Sequence, residues 1–208
     1  MDIGMYIALA IVVVAGIVAI VLYYRAAGSE NKRHAGAVNA GPEDTAPLRD
    51  KNANDAFVRK LRRAALRRGL TVVQPDPAKT AFCAMIVGPH GVTAVYGADY
   101  TGTVYGSSDP SWAQLQDGVR RTFENPQLSA ETARRALREV IGQGKFRPFM
   151  VDARVVMTAP KAELAIPRTL PVYTVKSFCQ YVENSADFDN DRKVDEQALK
   201  SYLEEHFC

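Results

Sequence analysis

Residues Phe82–Tyr96 read FCAMIVGPHGVTAVY, and this stretch decides the fold class. Two short extended runs, Phe82–Val87 and Val92–Tyr96, flank Gly88-Pro89-His90-Gly91. Gly and Pro at that spacing mark a tight turn, so the segment predicts a β-hairpin. Thr71–Val73 before it and Tyr100–Tyr105 after it read as further short strands. Asn125-Pro126 then breaks the chain. Ala133, Leu137, Val140 and Ile141 recur at helical spacing, which predicts a helix over Ala130–Ile141 with Ser129 as its N-cap. Past Gly142 and Gly144 the pattern predicts strands at Ala153–Met157 and Val172–Thr174, and helices at Ser177–Val182 and Val194–His206. Helix, antiparallel strands, helix, strands is the order of a mixed α/β layer fold.

Upstream, Asp55–Arg68 places Phe57, Val58, Leu61, Ala65 and Leu66 on one helical face, with Gly69 as the stop. The other face carries Arg59, Lys60, Arg62, Arg63, Arg67 and Arg68. Such a face either meets phosphates of nucleic acid or anionic lipid, or is simply solvated. Residues 26–54 are rich in Ala, Gly, Asn, Pro and acids and nearly empty of large apolar side chains. They cannot offset their ordering entropy by burial and read as a flexible tether, with the folded domain spanning 55–208.

The first 25 residues differ in kind. Met5–Leu22 reads MYIALAIVVVAGIVAIVL, with no charge from Ile3 to Tyr24. About 20 apolar residues at 1.5 Å rise match a bilayer's hydrocarbon core, and Tyr6, Tyr23 and Tyr24 sit where rings favour headgroups. The n-region carries Asp2 and no cation, unlike a cleaved signal peptide. Arg25, Lys32 and Arg33 follow the run, so the positive-inside tendency predicts an N-terminus outside and a cytoplasmic domain. Gly16 has no GxxxG partner.

The whole chain of 208 residues is 47% apolar, 24% charged and 9% aromatic, which excludes a disordered or collagen-like protein. Cys83, Cys179 and Cys208 are far apart and form no C-x-x-C pair, so neither a zinc knuckle nor a thioredoxin-type motif is available. A net charge of +3 is too small to imply nucleic-acid binding by itself. Asp187-Phe-Asp189-Asn-Asp191 begins like a calcium loop and Asp195 fits its ninth position. Arg192 and Ala198 stand where that loop needs Gly and a bidentate Glu, so it reads as a polar turn before the last helix.

The order MIVGPHGVTAVYGADYTGTVYGSSDPSW, FENP and an amphipathic helix resembles the NERD (nuclease-related) domain. The matching pieces are Gly88-Pro89-His90-Gly91, Tyr100-Thr101-Gly102, Val104-Tyr105-Gly106, Trp112 and Asn125-Pro126, within about Asp55 to Tyr181. The resemblance implies a restriction-endonuclease-like fold, in which an Asp and a Glu-x-Lys converge on Mg²⁺. Hard cations need carboxylate oxygens, and one intervening residue keeps Glu and Lys on one strand face. Here Cys83 falls at the Asp position, Tyr96 at the Glu and Ala98 at the Lys. Ser129 and Ala133 replace the Gln and His of the family's helix.

Two main kinds of function follow, with a third beside them. One is a non-catalytic module on the cytoplasmic membrane face, needing no cofactor. It binds nucleic acid or a protein partner, with Arg59, Arg62, Arg63 and Arg67 as the candidate binding residues. The other is a Mg²⁺-dependent nuclease that recruits Asp99, Asp109 or Glu124. A third reading makes the basic helix a lipid-facing scaffold, without enzymatic activity.

Overall fold

The computed structural model describes residues 51–144, 146, 150–189 and 194–208. Sheet A has the order β1 (Thr71–Val73), β2 (Ala84–Gly88), β3 (Gly91–Ala98), β7 (Val151–Met157), β9 (Val172–Thr174). The first three strands are antiparallel, and β7 and β9 add in parallel to β3. The predicted hairpin is present: Gly88 pairs with Gly91, and Ala84 with Val95.

Every residue of β2 and β3 is buried, because both faces of sheet A are covered. On one face lie α1 (Lys51–Leu66) and α3 (Val175–Asn184). Phe57, Val58, Leu61 and Ala65 pack there with Phe178 and Val182 on Ala84, Ile86, Val95 and Val156. On the other lie α2 (Pro126–Gln143) and α4 (Glu196–Phe207). Leu137, Ile141, Leu199 and Leu203 meet Met85, Val87, Ala94 and Met157. Helix, sheet and helix thus form three layers.

A second sheet has the order β6 (Val119–Glu124), β5 (Ser111–Gln116), β4 (Gly102–Tyr105), β8 (Ala162–Ala165): the chain supplies the first three between β3 and α2, and β8 joins β4 after β7. Val104 and Trp112 turn inward from it to join the α2 side of the core.

Three differences from the sequence reading have physical causes. β5, β6 and β8 are additional to the strands predicted, since almost every β6 residue is exposed and no apolar alternation announces it. Helix α2 begins at Pro126 rather than near Ala130. Asn125, not Ser129, is its N-cap, with Pro126 pre-set for the first helical position. Helix α1 begins at Lys51, four residues ahead of Asp55. Among the described residues no helix is long and apolar enough to cross a membrane, and the expected span Met5–Leu22 lies outside them.

Candidate functional site

The strand expected to carry Glu-x-Lys is β3. Tyr96 and Ala98 share one face of it, opposite Val155 and Met157 of β7, and both belong to the core beneath α2 and α4. They are 4% and 0% exposed. Cys83 does not join them. Its backbone N–H donates to the Val95 carbonyl at 2.9 Å, its thiol donates to the same oxygen at 3.4 Å, and it packs against the cluster under α1 and α3. Phe82 and Met85 face one side while Cys83 and Ala84 both face the other, so side-chain alternation breaks just before β2. The three positions read together in the sequence are therefore divided between opposite faces of sheet A.

The acids are likewise dispersed. Asp99 follows β3 and is half-buried. Asp109 is exposed; its Oδ2 accepts from Ser107 Oγ at 2.6 Å. Glu124 closes strand β6 and is exposed. Burial, then the neighbouring Tyr96 and Glu124, push the Tyr100 hydroxyl well above the usual phenol range. Tyr100 itself is 8% exposed and stacks on Phe123 at 3.8 Å between ring centroids. Among the described residues no group of three His, Cys, Asp or Glu is placed to hold a metal ion. Gln114 donates to the Thr101 carbonyl at 2.7 Å, and Trp112, 1% exposed, donates to the Ser107 carbonyl at 3.0 Å. Both are structural contacts.

Beside the start of α2 lies a cavity of about 330 Å³, bounded by Asn125, Leu128, Ala130 and Glu131, by Ala153 and Val155 of β7, and by Leu170 and Pro171. Glu131 is its charged lining residue. Hydrogen bonds from Arg134 hold the Glu131 carboxyl down to about 2 against the opposing effect of burial, with Arg135 assisting. The contacts are fork-like, Nε to Oε2 at 2.6 Å and Nη2 to Oε1 at 2.7 Å. An acid committed in this way is a poor proton acceptor at neutral pH.

The basic helix face resolves into two parts. At 100° per residue Arg59, Lys60, Arg62 and Arg63 fall within roughly 160° of the outer side of α1, Arg67 follows in the turn just past its end, and all are exposed. Arg67 pairs with Glu183 at 2.8 Å and Arg62 donates to Gln74 at 3.2 Å. Leu66 lies amid these cations with 77% of its surface exposed. Arg68, grouped with them in the sequence, points elsewhere: it donates to the Ser185 carbonyl at 2.6 Å and pairs with Asp189, tying α1 to the end of α3.

One polar cluster had no sequence signal. Arg154, alternating with Ala153 and Val155 on β7, pairs with Asp152 at 2.5 Å and donates to Tyr181 Oη at 3.2 Å. Tyr181 in turn donates to Asp187 at 2.5 Å. Asp187 and Asp195, the acids of the calcium-like segment, serve as this acceptor and as the α4 N-cap.

No family model, curated protein or solved structure matches the chain.

Proposed function

We propose that the chain is a membrane-tethered, non-catalytic module of NERD type, restriction-endonuclease-like in descent, that binds phosphate-bearing partners through the outer face of α1. The observation that carries this reading is the burial of Tyr96 and Ala98, 4% and 0% exposed, where the resemblance expects a Glu and a Lys. A phenol and a methyl group in an apolar layer supply neither oxygen ligands for a hard cation nor a charge beside a scissile phosphate. Residues 1–25 are the anchor and the stretch from 26 up to the start of α1 at Lys51 is the tether, with the folded part on the cytoplasmic side.

The partner in this reading is nucleic acid, contacted by Arg59, Arg62, Arg63 and Arg67. Four neutralised phosphates imply an affinity loss of about 100-fold between about 50 and about 200 mM salt. A second reading is favoured by Leu66: an exposed leucine among cations suits the interface of an anionic bilayer.

The test uses the full chain in detergent micelles or nanodiscs. DNA and RNA should remain uncut with Mg²⁺ or Mn²⁺, and binding should weaken on R59E/R63E. Metal-dependent cleavage lost in Asp99→Ala would end the non-catalytic reading. Binding to phosphatidylserine vesicles that depends on Leu66, without nucleic-acid binding, would select the second.

A further inference from the structure

We propose that strand β6 is a self-complementary edge through which two copies of this chain join into one continuous antiparallel sheet, with Thr122 facing Thr122 of the second copy. β6 ends its sheet, pairing with β5 alone. Five of its six residues are exposed, and only Phe123 is half-buried.

The direction of its free hydrogen-bonding groups follows from the turn. Asp117 and Gly118 have φ of 51° and 78°, the pattern of a two-residue type I′ hairpin. The closing pair Gln116–Val119 of such a hairpin is hydrogen-bonded, and hydrogen-bonded pairs alternate along the ladder. Val119, Arg121 and Phe123 therefore direct their backbone groups to β5. Arg120, Thr122 and Glu124 direct theirs outward.

A second β6 laid antiparallel about Thr122 uses those same three residues as its hydrogen-bonded pairs. Arg120 then faces Glu124 of the second copy, and Glu124 faces its Arg120, so two cross-strand ion pairs flank the Thr–Thr contact. All six side chains lie on one face, because the residues alternate by two. Neither Arg120 nor Glu124 has an ion pair among the described residues. Centring the pairing half a residue away sets Arg120 against Phe123 and Val119 against Glu124, and loses both ion pairs. Edges are usually blunted by proline, bulges or charges that repel a second copy. This edge lacks proline and sets Arg120 and Glu124 symmetrically about Thr122, while Arg121 lies on the other face, opposite Phe123 of the second copy. Val119, 52% exposed, begins the same edge strand.

The test is the molar mass of the detergent-solubilised full chain by light scattering across a concentration series, together with cross-linking. A dimer is expected. Arg120→Glu or Glu124→Arg alone should weaken it at least tenfold, and the double exchange R120E/E124R should restore it. Thr122→Cys in a Cys208→Ser background should give a disulfide-linked dimer on mild oxidation, and Leu115→Cys in the same background should not. A monomer at every concentration, a dimer indifferent to all three charge variants, or no cross-link through position 122 would overturn the proposal.

Discussion

The side-chain amide of Asn125 donates to the carbonyl of Asp109 at 3.0 Å, fastening the first turn of α2 to the loop that follows β4. The same side chain caps α2, its Oδ1 accepting from the Gln127 N–H at 2.9 Å, and the residue is 2% exposed. Asn125→Ala removes the cap and strands a carbonyl, so a loss of about 2–3 kcal/mol is expected. Asn125→Asp keeps the acceptor and loses only the donor, so it should cost about half as much. Urea unfolding of the two variants measures the difference; equal losses would mean the tie to Asp109 is idle.

Introducing the acid and the lysine that the resemblance expects should damage the fold rather than create an enzyme. Tyr96→Glu places a carboxylate in an apolar layer, and Ala98→Lys drives a long cation into a site with no exposed surface. Each should cost more than about 3 kcal/mol, from unpaired buried charge and overpacking. Circular-dichroism melts check this. A cooperatively folded Y96E/A98K protein that cleaves DNA with Mg²⁺ would show that the layer opens to water.

Much of this layer was legible, and its gaps are instructive. Gly88-Pro89-His90-Gly91 between two apolar runs announced the β2–β3 hairpin because turn chemistry and burial agree there. The β5–β6 hairpin carries an equally good turn, Asp117-Gly118, but Arg120, Arg121 and Glu124 hide its outer strand in charge. The division of Cys83 from Tyr96 was not legible, since one slip in alternation before β2 reverses which face a residue occupies. Arg154 gave no signal because its partners Asp152, Tyr181 and Asp187 meet only after β7 and α3 are packed.

That cluster predicts a stability slope at alkaline pH. Burial, and then its bond to Asp187, push the Tyr181 hydroxyl from 10.0 up to about 12, while Arg154 opposes the rise. A pKa raised on folding favours the protonated phenol in the folded state. The contribution is therefore fully present below pH 10.0 and is lost as pH rises through about 12. Allowing for solvent screening, it amounts to about 1–2 kcal/mol. The difference in thermal midpoint between wild type and Tyr181→Phe should shrink across that window. A constant difference would show that Tyr181 titrates alike in both states.

Gly106 and Trp112 make the sharpest steric prediction. A Cβ built on Gly106 would lie 2.4 Å from Cδ2 and Cε2 of the Trp112 ring, which is 1% exposed and held by its bond to the Ser107 carbonyl. Neither partner can yield cheaply: the indole is wedged into the core, and Gly106 lies one residue from the carbonyl that fixes it. Gly106→Ala should therefore cost about 2–3 kcal/mol, the usual penalty for adding a methyl group to a filled interior. Trp112→Phe should also destabilise, by emptying part of that space and orphaning the Ser107 carbonyl. If the clash is with the ring itself, the smaller ring makes room for the new methyl, and G106A/W112F should lose less than the two single losses combined. A double-mutant cycle by denaturant unfolding should return about 1 kcal/mol of favourable coupling. Strict additivity would place the penalty of Gly106→Ala in the backbone and not against the indole.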